Sequence, residues 1–270
     1  MSKHEFEIHD CFKLNGTHFS RMHLHKVAYS FIKEGEHFEE RVGNFLLDWL
    51  NDDYHDIKVR TSGSTGKPKV IFIDKHKMVN SAKATDKHFK LGPETKALMC
   101  LPPKHIGGMM MLVRAMMLGW HVDIVEPVSN PLDKLYKTYD FCAMTPFQLD
   151  NSLNRLHLIK KLIVGGGRIP ENLKQMVQGI PTKVYETFGM TETVSHIAAR
   201  KVNNLKKDSG KDKPFKTLPN VSVSADEVNR LIVKAPKLLD EPILTNDIVE
   251  IETYKKFYWK GRADHVINSG

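Results

Sequence analysis

Short apolar runs alternate with longer amphipathic segments between residues 57 and 185 of the chain. The run Ala97–Leu101, for example, is followed by Gly107–Leu118, which has helical length, and then by Val122–Val125. Strands that are buried on both faces of a sheet are continuously apolar, and parallel strands need a long crossover that is usually helical. The alternation therefore predicts an α/β fold with a doubly wound, mainly parallel sheet.

Other segments follow the same two patterns. Helices are predicted over Glu36–Leu50, Lys77–Phe89, Phe147–Arg155 and Glu171–Gln178, the last with Pro170 in its first turn. Strands are predicted at Ile57–Val59, Val70–Ile73, Phe141–Met144, Leu162–Val164 and Lys183–Tyr185. Short β-like pieces at Val221–Val223, Leu231–Val233, Ile248–Ile251 and Phe257–Trp259 predict a small antiparallel β subdomain near the C-terminus.

The character of the chain changes near residue 200. We expect an α/β core over residues 1–200, a small β-rich subdomain over 201–262 and the start of a hinge over 263–270. The segment Asn203–Pro219 is rich in Lys, Asp, Gly and Pro, which is typical of a mobile surface loop. The chain stops abruptly at Gly270, so a C-terminal domain is expected to be absent from it.

The composition narrows the class of protein. A net charge of +8 suits either nucleic acid or small anionic ligands, but the lysines are scattered rather than clustered in a stripe, so nucleic acid is not expected as a partner. The three cysteines form no disulfide framework and no metal site with histidine, which favours a reducing cytoplasm. The most apolar stretch, Met109–Trp120, is short and contains Arg114, so no membrane span is expected.

A nonapeptide rich in small polar residues, Thr61–Lys69, comes directly after the first predicted strand. Its glycines allow backbone N–H groups to converge on an anion, and its hydroxyls and lysines add donors and positive charge, so phosphate is the expected ligand. A P-loop of the NTPase type is excluded, since the glycines are three rather than five positions apart and Pro68 follows the lysine. A simple hairpin turn without a ligand is the alternative.

The nonapeptide resembles the phosphate loop of the adenylate-forming (ANL) superfamily, which contains acyl-CoA synthetases, luciferases and peptide-synthetase adenylation domains. Further segments resemble motifs of that family in the same order: Leu101–Gly108, Val164–Pro170, Tyr185–Glu192, Thr245–Asp247 and Trp259–Asp264. The resemblance implies ATP, Mg²⁺ and CoA as ligands and a carboxylic acid as substrate. The resemblance leaves open whether the protein forms a homodimer.

The resemblance assigns roles to individual residues. It implies that ATP is held by Thr61, Ser62, Gly63, Ser64, Thr65, Gly66, Lys67, Gly165, Gly166, Gly167, Phe188, Gly189, Thr191, Asp247 and Arg262. Its implied catalytic residues are Lys67, Thr191 and Glu192, with Glu192 also the ligand of Mg²⁺. Phe188 would stack on adenine, Asp247 would bind the ribose hydroxyls, and Asn246, in place of the usual glycine, would tolerate a positive φ. An ordinary turn at Gly165–Gly167 and a surface ion pair between Asp247 and Arg262 are the alternatives.

The acid is expected to lie near His105, which in the family flanks the acyl pocket. Arg114 follows in an apolar helix, where a charge is costly unless it is paired, so it is a candidate to bind a second carboxylate of the substrate. Ser195 and His196 are expected to line the same pocket. The alternative for Arg114 is a structural Asp or Glu partner, or a position at the surface.

The run Gly189–His196 and the short segment before the phosphate loop are similar to those of compact o-succinylbenzoate–CoA ligases of menaquinone synthesis. This favours that acid over other aryl, fatty or amino acids. Since the adenylation lysine of the family lies after the hinge, we expect this chain to bind ATP but to adenylate poorly. A nucleotide-binding fragment without catalysis is the remaining alternative.

Overall fold

The computed structural model describes residues 6–60, 69–205 and 213–265. The α-helices in these ranges are α1 (Arg21–Lys33), α2 (His37–Leu50), α3 (Lys75–Phe89), α4 (Ile106–Leu118), α5 (Pro146–Asn151) and α6 (Glu171–Met176). The strands in the same ranges are β1 (Lys13–Leu14), β2 (Thr17–His18), β3 (Asp56–Arg60), β4 (Val70–Asp74), β5 (Lys96–Met99), β6 (His121–Ile124), β7 (Tyr139–Met144), β8 (Ile159–Val164), β9 (Lys183–Gly189), β10 (His196–Lys201), β11 (Phe215–Thr217), β12 (Ser222–Ala225), β13 (Arg230–Lys234), β14 (Ile243–Thr253) and β15 (Lys256–Arg262). Short 3₁₀ helices cover Leu153–Leu158, Thr191–Thr193 and Ala263–His265.

Thirteen of the described strands form one sheet, in the order β12-β13-β14-β15-β11-β10-β9-β8-β7-β5-β6-β1-β2. The central neighbours β9, β8, β7, β5, β6 and β1 are parallel. The chain switches to antiparallel pairing at β10, and this pairing continues through β11, β15, β14, β13 and β12. The predicted fold class is therefore confirmed: a mainly parallel central sheet is joined to a C-terminal group of antiparallel strands.

The two faces of the sheet carry separate apolar cores, as expected for a doubly wound fold. In β5, Ala97 belongs to a cluster with α1, α2, α3 and α4, whereas Leu98 belongs to a cluster with α5 and α6. Phe141 and Cys142 of β7 divide between the two clusters in the same way. Successive strand residues point to opposite faces, so helices on both sides are needed to cover them.

Most predicted elements are present, with shifted ends. The predicted helix Phe147–Arg155 was wrong in its second half, because α5 ends at Asn151 and a 3₁₀ helix follows. The helix after Pro170 ends at Met176 rather than Gln178, and Pro170 is its N-cap residue instead of lying in the first turn. No element was predicted at α1, β10 or β11, all of which are formed.

The segment Asn203–Pro219 is not a loose loop over its described parts. Asn203 is fully buried and its amide bonds the backbone of Val184, Val177 and Thr182. Phe215 starts β11 and is also buried. The division of the chain near residues 200 and 262 stays a prediction. None of the described helices is long and apolar enough to cross a membrane.

The start of α4 lies directly against the turn that precedes it. A β-carbon built on Gly108 would come within 2.5 Å of the carbonyl oxygen of Pro102, whereas one on Gly107 would meet only the tip of the Leu101 side chain at 3.3 Å. Only glycine fits at position 108, because a β-carbon there would collide with backbone atoms, which cannot move aside as a side chain can. This close approach fixes the start of α4, whose N-cap residue is His105.

We expect Gly108→Ala to lower the free energy of unfolding by about 1–3 kcal/mol, because the methyl group would force the helix away from Pro102. The neighbouring Gly107→Ala is the matched control. It should be neutral or stabilise by about 0.5–1 kcal/mol, since alanine is the better helix former and the Leu101 side chain can move. Urea denaturation measures both changes. Equal effects of the two substitutions would contradict the close approach.

Candidate functional site

The carboxyl ends of the parallel strands meet at one edge of the sheet, where ligands of doubly wound folds bind. The segment Gly165–Gly167 follows β8 at this edge, and Phe188 and Gly189 end β9. Because β9 extends to Gly189, four residues beyond its predicted end, it carries the aromatic residue of the signature on the sheet itself. The structure therefore brings the glycine run and the signature to adjacent strand ends.

The predicted phosphate loop, with Thr61, Ser62, Gly63, Ser64, Thr65, Gly66 and Lys67, lies outside the described residues. Its flanks are described: β3 and β4 pair as an antiparallel hairpin in which Arg60 is opposite Val70. The prediction that a strand, not a helix, follows Pro68 is confirmed. A cavity of about 740 Å³ lies between β4 and the 3₁₀ turn that carries Thr191 and Glu192. The hairpin thus faces Thr191 and Glu192, two of the predicted catalytic residues.

The chain turns sharply after the signature. A β-carbon at Gly189 would collide with the carbonyl oxygen of Ser195 and lie 2.5 Å from Cα of His196, so only glycine allows β9 and β10 to approach here. Val194 has φ 67° and ψ −52°, and the Ser195 N–H donates to the Thr193 carbonyl at 2.8 Å. This is the rare and strained form of γ-turn, and a β-branched residue there is a backbone outlier.

The aromatic residue of the signature belongs to a cluster of three rings. Phe188 contacts Phe257 of β15 and Phe215 of β11 at ring-centroid distances of 5.2 and 5.9 Å. The rings of Phe215 and Phe257 stack on each other at 5.5 Å. Phe188 itself is only half-buried, so its ring combines a fixed position with an accessible part.

The glycine run is tied to β9 by a buried ion pair that the sequence reasoning missed. Arg200 of β10 donates to Glu186 through Nε at 2.7 Å and through Nη2 at 2.6 Å, and both side chains are almost fully buried. Glu186 also accepts the backbone N–H of Ile169 at 2.9 Å. The ion pair therefore holds the segment after Gly167 against the signature strand. The available signal was Glu186, an acid directly after the predicted strand Lys183–Tyr185.

The predicted ribose ligand lies within a strand. Asp247 is 6% exposed in β14, and its Oδ1 accepts a hydrogen bond from Nε1 of Trp259 at 2.7 Å. Arg262 of β15 lies opposite Asp247 of β14. Its guanidinium, however, forms an ion pair with Asp264, through Nε at 2.9 Å and through Nη2 at 2.7 Å. Asn246 does not have a positive φ, so its tolerance of that conformation is not used here. It occupies a regular strand position, where no left-handed conformation is needed.

Arg114 is buried inside α4, with 1% of its surface exposed. Its Nη2 donates to Oγ of Ser195 at 3.0 Å and its Nη1 lies 3.8 Å from Sδ of Met111, while Nε has no partner. No carboxylate pairs with it among the described residues, and it does not reach the surface. Burial lowers the pKa of Arg114 to about 9, so the guanidinium remains charged at neutral pH.

A chain of hydrogen bonds leads from Arg114 to helix α3. Thr85 donates its hydroxyl to the Ser81 carbonyl at 3.0 Å, so its oxygen accepts from Nε2 of His196, at 3.4 Å. The neutral ring then has a bare Nδ1, which accepts from the Ser195 hydroxyl at 3.4 Å. The Ser195 oxygen is left to accept from Arg114. The buried face of α3, on which Thr85 is a polar residue, was the signal that could have identified it.

The predicted pocket residues are thus partly assembled. Arg114 bonds Ser195, and Ser195 bonds His196, so the three side chains lie together; their role in an acid pocket stays a prediction. His105 lies apart at the N-terminus of α4 and is exposed. Partial desolvation, with the nearby charges of Lys104 and Arg41, lowers the pKa of His105. Its ring is therefore held neutral at neutral pH.

Burial, together with the charges of Arg114 and His88, lowers the pKa of His196 well below its usual value. The unfolded chain binds this proton near pH 6.5 while the folded chain does not, so the free energy of unfolding should fall as the pH drops below about 6.5, by up to roughly 1.4 kcal/mol per pH unit. His196→Gln keeps an N–H for Thr85 and removes the titration. We expect urea denaturation between pH 7.5 and 5 to show a shallower decline for this variant. An equal decline in both chains would contradict a neutral, buried His196.

The chain was compared with known proteins. Residues 60–224 match the family of AMP-binding enzymes. A 2-succinylbenzoate–CoA ligase of Staphylococcus epidermidis is 28% identical over 239 residues, which are 78% of this chain and 50% of that enzyme. An acyl-CoA synthetase (AMP-forming)/AMP-acid ligase II-like protein of Dyadobacter fermentans has a TM-score of 0.78 and 34% identity, over 91% of this chain and 70% of that one. The O-succinylbenzoate coenzyme A synthetase of Bacillus subtilis, solved with ATP and magnesium, has a TM-score of 0.67 and 20% identity, over 79% of this chain and 51% of that one.

The family match covers more than half of the chain, and the chain therefore belongs to the AMP-binding enzymes. The resemblance to adenylate-forming ligases is confirmed on this ground and by the relative from Dyadobacter fermentans. At its lower identity, the Bacillus subtilis enzyme supports the fold alone. The chain spans about half the length of the Staphylococcus epidermidis enzyme. The roles of the individual site residues remain predictions.

Proposed function

We propose that this chain carries the ATP- and acid-binding part of an acid–CoA ligase whose substrate is o-succinylbenzoate. One observation carries the proposal. Arg114 is a charged guanidinium buried in an apolar helix with no carboxylate partner among the described residues. An uncompensated buried charge is costly, and a substrate carboxylate would supply the missing partner. A substrate with two carboxylates can give one to Arg114 and keep the other for the reaction.

The fixed geometry around Arg114 supports this assignment. Thr85 bonds His196, His196 bonds Ser195 and Ser195 accepts from Arg114, so the guanidinium is oriented before the acid binds. Its Nε–H has no partner, which leaves a donor for a carboxylate oxygen. The names of several relatives, among them the ligase of Staphylococcus epidermidis, point to the same acid.

The proposed binding of ATP rests on four side chains. Phe188 offers a half-buried ring for adenine, and Asp247 offers a buried carboxylate for the ribose hydroxyls. Thr191 and Glu192 line the cavity beside the hairpin that flanks the phosphate loop. Among the described residues no three acidic, His or Cys side chains form a metal cluster. A single exposed carboxylate such as Glu192 suits Mg²⁺, which keeps several waters and binds one or two carboxylates together with phosphates.

The proposed reaction has two displacements. In the first, a carboxylate oxygen of the acid bonds to the α-phosphorus of ATP, the bond from that phosphorus to the bridging oxygen breaks, and pyrophosphate leaves with Mg²⁺ neutralising its charge. In the second, the thiolate of CoA attacks the acyl carbonyl carbon and AMP leaves. The task of this chain is to hold both reactants in line, with Thr191 and Lys67 as donors to the phosphoryl oxygens.

Binding measurements with the chain test the proposal. In a thermal-shift assay with ATP and Mg²⁺, we expect o-succinylbenzoate to raise the melting temperature more than benzoate, a fatty acid or an amino acid does. A larger shift with one of the other acids would favour a ligase for that acid. The absence of any shift with ATP would overturn the nucleotide half of the proposal.

Arg114→Leu should raise the Kd for o-succinylbenzoate about 10- to 100-fold, since a hydrogen bond to a charged group contributes about 1.5–3 kcal/mol. The Kd for ATP should change less than twofold. Isothermal titration calorimetry measures both constants. Arg155→Leu is the control, because Arg155 donates to the Leu135 carbonyl and its helix packs into the core on the other face of the sheet. It should leave both constants unchanged. Equal losses for acid and ATP in Arg114→Leu would indicate a structural role.

A further inference from the structure

Trp259 contacts two parts of the nucleotide site at once. Its indole N–H donates to Oδ1 of Asp247 at 2.7 Å, which is the short distance typical of a bond to an ionised acceptor. The guanidinium of Arg168, in the segment after the glycine run, lies 5.7 Å from the centroid of its ring. Trp259 is in β15 and Arg168 follows β8, so the two come from distant strands of the sheet.

The position of Trp259 suits a residue that acts through Asp247. The two strands β14 and β15 pair so that Val249 is opposite Trp259 and Asp247 is opposite Arg262. The indole must therefore reach along the strand to meet the carboxylate, and it does so beside the active-site edge. Asp247 is almost fully buried, so little of it is open to water. Among the described residues, the indole N–H of Trp259 is the side-chain donor to its carboxylate.

A carboxylate that binds two ribose hydroxyls must present its oxygens in a fixed plane. An ionised carboxylate has about four acceptor sites, and the indole occupies one of them. Three remain for hydroxyl groups, and the plane can no longer rotate freely. A neighbouring side chain that is itself fixed by packing can hold a binding group in the correct orientation, and this commonly determines the affinity for the ligand.

We propose that Trp259 is a positioning residue of the nucleotide site, whose indole N–H orients Asp247 to receive the ribose hydroxyls. The inference rests on the proposed function, because it takes Asp247 as the ribose ligand. It adds a second residue to that task and a reason for tryptophan at this position. The Arg168 contact supports it, because it joins the same ring to the segment after the glycine run.

Trp259→Phe tests the inference. Phenylalanine keeps an aromatic face for Arg168 and most of the packing, and it removes only the N–H. We expect the Kd for ATP to rise about tenfold. The Kd for 2′,3′-dideoxy-ATP, which lacks the hydroxyls, should change less than twofold, because the lost orientation no longer matters. A purely structural role would weaken both nucleotides equally, and that result would overturn the inference.

A double substitution separates Trp259 from Asp247. Asp247→Asn alone should weaken ATP and make the chain insensitive to the loss of the ribose hydroxyls. Adding Trp259→Phe to it should weaken ATP no further, because the group that Trp259 orients is already altered. A full additional loss in the double variant would show that Trp259 acts by another route. If the wild-type chain binds no ATP, the proposed function fails together with this inference, whereas ATP binding with an unchanged Kd in Trp259→Phe overturns the inference alone.

A measurement on the wild-type chain covers the case in which the variant does not fold. The chain has three tryptophans, and the indole N–H groups of Trp49 and Trp120 are buried without a partner. In ¹⁵N-resolved spectra we expect the Trp259 indole signal to shift on addition of ATP and to shift much less with 2′,3′-dideoxy-ATP. The signals of Trp49 and Trp120 are internal controls that should not move. Equal shifts of the Trp259 signal with both nucleotides would contradict the proposed coupling to the ribose hydroxyls.

Discussion

Between β9 and β10 the chain reverses direction, and Gly189 makes the reversal tight enough for Ser195 and His196 to lie directly against it. The sheet changes there from parallel to antiparallel pairing. Phe188 stands before the turn, Thr191 and Glu192 lie within it, and the residues that bond Arg114 and Thr85 come after it. Contacts to adenine, to phosphate and to the acid are thus all proposed for the short segment Phe188–His196. The strained γ-turn at Val194 is the conformational cost of bringing them so close together.

Buried charges around this turn are treated in different ways. Glu186 and Arg200 neutralise each other and also fix a backbone N–H, which is how buried ions are normally accommodated. Asp247 is held by an indole N–H, and Arg114 by a serine hydroxyl and a thioether. The Glu186 carboxylate accepts three of these bonds, whereas the described residues give Asp247 one side-chain donor and Arg114 one oxygen acceptor.

Patterns within one element could be predicted, and contacts between distant elements could not. The apolar spacing in Glu36–Leu50 predicted α2 to within a residue, and Gly119 ended α4 as expected. Helix α1 was missed although Leu24, Val27, Ala28 and Phe31 follow helical spacing, and β10 was missed because alanine and arginine hide a strand that is buried on both sides. That Arg114 and Ser195 line one acid pocket remains a prediction. The bond from Trp259 to Asp247 depends on the register of β14 and β15, which no local pattern contains.

The guanidinium proposed for the acid and the side chains proposed for adenine and ribose come from different kinds of structural element. Thr85 and Arg114 belong to helices on one face of the sheet, whereas Phe188 and Asp247 belong to strands. A helix residue can be exchanged without moving a strand backbone, because side-chain packing, not hydrogen-bonded pairing, joins the two layers. A duplicated gene could therefore acquire a new acid through a few changes in α3 and α4 that leave Ser195, His196 and the nucleotide half in place. The same two helices are the place to begin when the chain is redesigned for a different acid.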